Sequence, residues 1–371
     1  MSYSEVQESD PSVSYSGAWS AVSDPRATGG TYKQTITAGD SVTVSFSGRA
    51  LYLFTLASDN GARAGLSIDG APAGSVSGAI ASQIPLGGTA LVGQLTPITR
   101  GLSDGPHTVT LTNLYALALA VDSFVVVSGA RLEPSPGVVC TLGDSWTTGV
   151  GPFDAANAYP ARLAAGVAAG LKRPFALLDK GVNGTGLFCT IASTARSGAL
   201  TKTVSDVLPA PPEVLTYLFG ANDLRIASQV GAQTVSGGMG VSAGDVVNAY
   251  RSLCCLLEDV LDVGNLAGSP APFRVVIATP GQLTSAQTYY RLMLSGAVGY
   301  PTGGLEHWEM AATGIRALPA QFPWLRVADL YNVMDGKASL VFPNGYSDTG
   351  LHPNDDGHAV IAQEMTRAAL Q

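Results

Sequence analysis

The feature that most constrains the fold is an alternation of short apolar runs with helical patterns through the second half of the chain. The apolar runs are strand-like and lie at residues 138–142, 175–178, 214–219, 275–278 and 327–330. The clearest helical pattern spans residues 245–263, where Ser242 and Asp245 are placed to form a capping box. Strands that alternate with helices predict a three-layer α/β domain, built on a five-stranded, mostly parallel sheet with helices on both faces.

The first half of the chain has a different texture. Between residues 15 and 127, Ser, Thr, Gly and Val dominate, and apolar and polar residues alternate at 41–46, 49–54 and 107–111. Turn signals such as Asp69-Gly70 separate these runs, a pattern typical of an antiparallel β-sandwich. We therefore predict two domains, an all-β sandwich at residues 1–133 and an α/β domain at 134–371. A chain that starts near Gly137 is expected to fold around its own core.

Charge and apolar content exclude several classes of function. The 371-residue chain carries a formal net charge of −8 and has no run of Lys or Arg, which argues against nucleic acid or an anionic membrane surface as a partner. Its most apolar stretch, residues 114–127, is broken by Asp122 and is too short to span a bilayer. The first residues show no basic segment followed by an apolar one, so we expect no secretory signal in this chain.

Metal and redox chemistry have no signature in the sequence. HExxH, paired Cys/His clusters and calcium-loop spacing are all absent. The cysteines lack CxxC spacing, and we expect them to be buried thiols without a disulfide or metal role. They are Cys140, Cys189, Cys254 and Cys255. We therefore expect the protein to need no metal and no cofactor.

Three candidate site segments follow predicted strands, where sites form in parallel sheets. Ser145 comes directly after the first strand, where a strand-to-helix turn can project its hydroxyl and leave its N–H open to an anion. The glycine-rich residues 179–186 follow the second strand and form either a flexible turn or a backbone that approaches a ligand closely. Asn222 follows the third strand, where it either caps a turn or donates its amide to an oxyanion.

A fourth segment, residues 348–354, precedes the last predicted helix, and Asn354 is its expected N-cap. The chain has four histidines. His107 lies on a sandwich strand, His307 lies beside Glu306, and His358 lies on the last helix, where we expect it only to pack or cap. His352 is therefore the best placed general base.

These four segments resemble the blocks of the SGNH (GDSL-type) hydrolase family, in the same order and over roughly residues 137 to 371. The resemblance implies that Ser145 is the nucleophile and His352 the general base. It also implies an oxyanion hole of Ser145, Gly184 and Asn222. Gly184 is preferred to Gly181 because the family's second block places the donor glycine five residues after an Asn, a position that Asp179 occupies here. Asp144 and Asp223 beside these residues are interpreted as turn-stabilising groups.

The sequence departs from this family at two places. Trp146 stands where the family has Leu, and its indole is expected near the substrate together with Tyr289 and Tyr290. The family's acid lies three residues before the histidine, where this chain has Thr349, while Asp348 lies four before. Either Asp348 reaches His352 through a one-residue bulge and completes a triad, or a backbone carbonyl supports a Ser-His dyad. We expect Asp348.

The N-terminal region resembles a carbohydrate-binding jelly roll through residues 15–19, 68–70 and 104–109, and the domain order resembles that of family two carbohydrate esterases. Trp19 is expected to belong to the sandwich core more than to a sugar platform.

The resemblance implies a serine esterase whose substrate is an acylated glycan or a small ester, most simply an O-deacetylase or short-acyl esterase. Two alternatives stay open: a lipolytic or general short-chain esterase, and a glycan-binding surface or phage-tail protein that carries a hydrolase domain. An extracellular, cell-surface or virion-associated location is expected. No pattern in the sequence specifies the oligomeric state.

Overall fold

The computed structural model describes residues 3–25, 27–55, 62–73, 81–86, 93–151, 154–188, 198–224, 226–230, 233–239, 241–261, 263, 273–281, 304–334 and 352–371. In chain order, strands β1 to β20 are Tyr3–Gln7, Val13–Ser16, Ser20–Ser23, Thr31–Thr35, Ser41–Gly48, Ala50–Thr55, Arg63–Ile68, Ala71–Pro72, Gln83–Pro85, Gln94–Thr99, Gly105–Asn113, Leu119–Val121, Ser123–Val127, Ser135–Gly143, Ala176–Asp179, Pro212–Leu218, Ile226–Val230, Gln233–Met239, Arg274–Ala278 and Leu325–Ala328. Helices α1 to α7 are Tyr159–Leu171, Ala199–Lys202, Ala221–Leu224, Ala243–Val260, Gly304–Ala317, Leu330–Val333 and Asp355–Ala369.

The N-terminal region consists of antiparallel sheets, as the alternating runs predict. One sheet has the order β1-β13-β6-β10, a second has the order β2-β5-β11-β7-β8 with β9 also paired to β7, and a third has the order β12-β4-β3. The first two sheets pack face to face over a shared apolar core. Its members include Val42, Val44, Leu51, Leu53, Val109, Leu111, Phe124 and Val126. Between β7 and β8, Asp69 and Gly70 both take positive φ, as a tight hairpin turn requires.

The strand β6 is buried on both of its faces, and this overturns the expectation of a separate core for the second domain. All six residues of Ala50–Thr55 are buried. Leu51 and Leu53 face the sandwich core, whereas Tyr52 and Phe54 join the apolar core of the α/β domain. A strand covered on both faces reads as a continuous apolar run rather than an alternating one, which explains why residues 50–54 contain no charged side chain.

Polar contacts join the two regions beside this shared core. The Arg100 guanidinium donates to both carboxylate oxygens of Asp259, at 2.6 and 2.9 Å, and to Glu258 at 2.9 Å. The buried Tyr52 hydroxyl also donates to Asp259, and Arg49 donates to the Asp259 backbone carbonyl at 2.7 Å. These bonds attach the C-terminal end of α4 to the sandwich. The domain boundary at residues 133 and 134 stays a prediction.

The C-terminal domain contains the five-stranded parallel sheet that the apolar runs predict. Its order is β15-β14-β16-β19-β20, and all four pairings are parallel. Every residue of the central strand β16 is buried, so both faces of the sheet are covered there. Helix α1 packs with α7 and helix α4 packs with α5. Apart from this sheet, β17 and β18 form an antiparallel pair.

The predicted helix over 245–263 is confirmed as α4, which ends three residues earlier than expected. The Ser242 hydroxyl accepts the Asp245 backbone N–H at 3.1 Å and donates to its carboxylate at 2.8 Å, so the predicted cap is present. Cys140, Cys254 and Cys255 are buried free thiols, as expected, and Cys189 lies outside the described residues. Within the described part of the chain, no helix is both long and apolar enough to cross a membrane.

Candidate active site

The nucleophile candidate and the base candidate lie together at the carboxyl end of the parallel sheet. Strand β14 ends at Gly143, and the chain turns so that the Asp144 carbonyl accepts the N–H groups of Thr147 and Thr148 at 3.0 and 3.1 Å. Within this turn, the Ser145 hydroxyl oxygen lies 2.8 Å from Nε2 of His352, which is 207 residues away along the chain. This is the hydrogen-bond distance that proton transfer from a serine to a histidine requires.

The turn that carries Ser145 is so tight that it accepts only glycine at position 143. A Cβ atom on Gly143 would lie 1.7 Å from Thr147 Oγ1 and 2.9 Å from the Leu218 backbone oxygen. Gly181 has the same kind of role from the neighbouring segment, because a Cβ there would lie 2.7 Å from the Thr148 nitrogen. The glycines at 143 and 181 therefore permit close approach of the backbone around Ser145.

The N-terminus of α7 holds His352 in place. Asn354 caps the helix, as predicted, by accepting the Gly357 N–H at 2.9 Å. Asp355 accepts the Asn157 amide at 3.1 Å, and the His358 ring accepts the Tyr159 N–H at 3.1 Å. These bonds tie the first turn of α7 to the start of α1.

His358 packs rather than catalyses, which confirms the interpretation from the sequence. Its side chain is fully buried and its ring stacks on Tyr159 with centroids 6.3 Å apart. Burial lowers the pKa of His358 to about 4, since a charged imidazolium in an apolar site loses its hydration. The ring is therefore neutral at pH 7, with Nδ1 as the hydrogen-bond acceptor.

The segment that carries Gly184 runs beside the end of β14. Val182 donates its N–H to the Gly143 carbonyl at 3.0 Å, so the chain reaches Gly184 close to the nucleophile turn. Gly184 has φ of +71°, a left-handed conformation that favours glycine. The chain is exposed at Asn183 and buried from Thr185 onward. The oxyanion role of Gly184 stays a prediction, and Gly181 packs closely against Thr147 and Thr148.

Asn222 lies between the other two segments of the site. It belongs to the one-turn helix α3 and is 4% exposed. Its amide nitrogen donates to the Thr185 carbonyl at 2.9 Å and lies 3.4 Å from Asp144 Oδ2. Asp144 also accepts the Trp146 N–H at 2.9 Å, so it stabilises the nucleophile turn, as interpreted from the sequence. The contact with Thr185 could not be predicted from the sequence, because its acceptor is a backbone carbonyl, which every residue has.

Of the predicted substrate-binding residues, Trp146 lies within the described part of the chain. The Trp146 side chain is only 3% exposed, and its ring packs against Gly281, where a Cβ would lie 2.6 Å from the indole and 3.0 Å from Met334 Sδ. Little of this ring is open to a substrate. The other candidates lie outside the described residues; they are Tyr289, Tyr290, Asp348 and Thr349.

On the sandwich, Trp19 is half-buried and packs against the edge of the core. Its ring centroid lies 4.9 Å from that of Tyr15, and its indole N–H donates to the Ser16 carbonyl at 3.2 Å. Sugar binding by this region stays a prediction.

Solved structures match this chain over most of its length at low sequence identity. A family two carbohydrate esterase from Cellvibrio japonicus is 17% identical, with coverage of 99% of this chain and 96% of that chain and a TM-score of 0.35. A family two carbohydrate esterase from Clostridium thermocellum in complex with cellohexaose is 16% identical, with coverage of 96% and 97% and a TM-score of 0.37. An acetyl xylan esterase, Est2A, from Butyrivibrio proteoclasticus is 14% identical, with coverage of 98% and 96% and a TM-score of 0.34.

Curated proteins show no significant match to this sequence. The GDSL-like Lipase/Acylhydrolase family matches residues 141–360. That match contains the turn with Ser145, the segment with Gly184, the helix with Asn222 and the base candidate His352. The chain therefore belongs to the GDSL-like lipase/acylhydrolase family and is a carboxylic ester hydrolase.

Proposed function

We propose that this chain is a serine esterase that removes a short acyl group from an acylated glycan. The observation that carries the catalytic part is the 2.8 Å contact between Ser145 Oγ and His352 Nε2. It lies at the end of the sheet where parallel α/β folds place their sites. The glycan part rests on the resemblance of the N-terminal sequence to carbohydrate-binding jelly rolls.

In the proposed reaction, His352 Nε2 takes the hydroxyl proton while Ser145 Oγ bonds to the ester carbonyl carbon. The electron pair of the C=O bond moves to the oxygen, and the tetrahedral intermediate then expels the alcohol, which receives the proton from His352. Water hydrolyses the acyl-serine by the same steps, and releases the acid. Each half-reaction returns His352 to its neutral form: the serine proton leaves with the alcohol, and a proton from water restores the serine hydroxyl. The cycle therefore consumes only ester and water.

The negative oxygen is stabilised by the N–H groups of Ser145 and Gly184 and by the Asn222 amide. Loss of one such donor costs about 3 kcal/mol of barrier. Asn222 already donates to Thr185 at 2.9 Å, while its contact with Asp144 Oδ2 is longer, at 3.4 Å. Hydrogen bonds weaken at such distances, so the Asp144 contact is the one that the oxyanion replaces.

Replacement of the nucleophile tests this proposal directly. We expect Ser145→Ala to abolish ester hydrolysis and to leave the melting temperature unchanged, because a hydroxyl at a turn contributes little to stability. Ser205→Ala is the matched control, because Ser205 is an exposed serine 60 residues from Ser145 whose hydroxyl donates to Asp206. This variant should keep full activity. Residual turnover above a few per cent in Ser145→Ala would remove Ser145 from its role.

The third member of the site is proposed to be Asp348. Loss of a triad carboxylate costs up to about 10⁴ in turnover, and we expect Asp348→Asn to lower kcat at least about a hundredfold with unchanged melting. Thr349→Val, at the family's acid position, should cost much less. A loss below about fivefold for Asp348→Asn would instead indicate a Ser145–His352 dyad supported by a backbone carbonyl.

The substrate class is tested by a panel of esters. Rates on acetylated oligosaccharides are compared with rates on p-nitrophenyl esters of increasing acyl length. The proposal predicts fast release of acetate from the sugars and a steep fall in rate with longer acyl chains. A preference for long acyl chains would favour the lipolytic alternative.

A further inference from the structure

Asp223 is a fully buried carboxyl group next in sequence to the proposed oxyanion donor Asn222. Aspartate is almost never fully buried unless other groups satisfy its charge. The backbone N–H of Leu187 donates to both Asp223 oxygens, at 2.8 and 3.0 Å. Burial and the nearby Asp144 raise the pKa of Asp223 to about 7, although N–H groups of Leu187, Phe188 and Gly220 act in the opposite direction.

Asn222 and Asp223 together attach α3 to one short stretch of chain at two points. Asn222 donates its side-chain amide to the Thr185 carbonyl at 2.9 Å, and Asp223 accepts the Leu187 N–H two residues further on. All residues from Thr185 to Phe188 are buried. The stretch begins directly after Gly184, the proposed backbone donor.

This double attachment sets where the two oxyanion donors lie relative to each other. Both donors must be within about 2.7–3.1 Å of one developing oxyanion, and a displacement of about 1 Å can cost a hundredfold in rate. Backbone N–H groups of Ala199 and Leu200 also hold this stretch, through the Gly186 carbonyl at 3.0 Å and the Leu187 carbonyl at 3.2 Å. The Asn222–Thr185 and Asp223–Leu187 bonds instead tie the stretch to α3, the helix that carries the proposed amide donor.

We infer that Asp223 is a positioning residue, whose carboxylate holds the Gly184 segment at the distance from Asn222 that the oxyanion hole needs. This inference rests on the proposed oxyanion hole. Asp223 touches neither Ser145 nor the ester in this role, and it acts through Leu187 and its neighbours.

The experiment measures kcat and KM of Asp223→Asn on p-nitrophenyl acetate, per folded molecule and well below its melting temperature. The new NH₂ group faces backbone N–H donors, so the Leu187 segment should shift. We expect kcat to fall at least about tenfold with KM changed less than about threefold, since the donors act on the transition state. Asp223→Ser, whose hydroxyl can still accept one N–H group, should recover part of kcat.

Asp259→Asn is the matched control, because Asp259 is also a buried carboxylate, at 9% exposure, but it joins α4 to the sandwich. It should lower the melting temperature and leave kcat within about twofold. If Asp223→Asn behaves in the same way, its role is only structural and the inference is overturned.

A double-mutant cycle with Asn222→Ala separates this inference from the proposed function. If Asn222→Ala has no effect on kcat, the proposed oxyanion hole fails. If it has an effect, the double variant should lose clearly less than the product of the two single losses, because the residues act on one hole. Independent, multiplicative losses would overturn the positioning role. If no Asp223 variant folds, hydrogen exchange of the Leu187 backbone amide is measured in the wild-type protein, with and without a phosphonate inhibitor bound to Ser145. The exchange rate should fall when the inhibitor is bound. An unchanged rate overturns the inference.

Discussion

A chain that begins at Ser135 should fail to fold into an active enzyme, although it keeps the whole parallel sheet and every described site residue. The sandwich strands β6, β10 and β13 supply part of the α/β core. Six of their side chains lie in that core: Ala50, Tyr52, Phe54, Leu95, Val125 and Val127. Removal of residues 1–134 would expose the part of the α/β core that these side chains cover.

The size of the loss follows from these side chains. Burial of a large apolar side chain contributes about 1.5–3 kcal/mol, so the five that are larger than Ala contribute about 8–15 kcal/mol. A domain is stable by only about 5–15 kcal/mol in total. The truncation also leaves Asp259 without Arg100 and Tyr52, its partners in the full chain. The loss is therefore comparable with the whole stability of a domain.

The assay compares the full chain with residues 135–371 by thermal melting, by urea unfolding and by hydrolysis of p-nitrophenyl acetate. The shortened chain should show no cooperative transition and less than a few per cent of the activity. Co-expression with residues 1–134 should restore part of both. A shortened chain that melts cooperatively within about 5 °C of the full chain, with kcat/KM within about threefold, would refute the shared-core argument.

Three further predictions concern single residues. The pKa of His358 is about 4 in the fold and about 6.5 when unfolded, so its contribution to stability is intact above pH 6.5 and is lost as pH falls toward 4. That loss reaches about 3 kcal/mol, and the pH dependence of the melting temperature should flatten over this window in His358→Phe; an identical slope would contradict it. Gly143→Ala should lower stability by about 1–3 kcal/mol because of the Thr147 contact, whereas Gly105→Ala, with open space around it, should be neutral in the same urea titration. Arg100→Leu should lower the free energy of unfolding by about 3–5 kcal/mol, because Asp259 keeps a buried charge without its cation; a loss below 1 kcal/mol would contradict this reasoning.

The sheet of the α/β domain could be predicted from the sequence because each strand is an apolar run bounded by turns. The run at 138–142 became Ser135–Gly143 and the run at 275–278 became Arg274–Ala278. The contact between Ser145 and His352 has a different basis, since His352 precedes a helix rather than following a strand. It is expected from the resemblance of the two segments to the family's blocks, although 207 residues separate them.

The shared core could not be predicted, because its signal is ambiguous in one strand. Residues 49–54 are interpreted from the sequence as an alternating strand with one apolar face, whereas Ala50, Tyr52 and Phe54 make the second face apolar as well. Tyr has an apolar ring that can be buried when its hydroxyl finds a partner. That partner is Asp259, which is over 200 positions away in the chain. Burial of Trp146 has a similar cause, since the space for its ring exists only because residue 281 is glycine.

The position of His352, the proposed base, also depends on contacts that no local pattern contains. His352 precedes the Asn354 cap of α7 by two residues, so its place follows from where that helix begins. The helix start is held to α1 by the Asn157–Asp355 bond and by the Tyr159–His358 bond. Helix α1 in turn contacts the nucleophile turn, because the Tyr159 hydroxyl lies 2.7 Å from Thr147 Oγ1. Tyr159 therefore contacts both the turn that carries Ser145 and the helix that follows His352. The buried ring of His358 fixes the first turn of α7, and through that turn it positions His352, the proposed base.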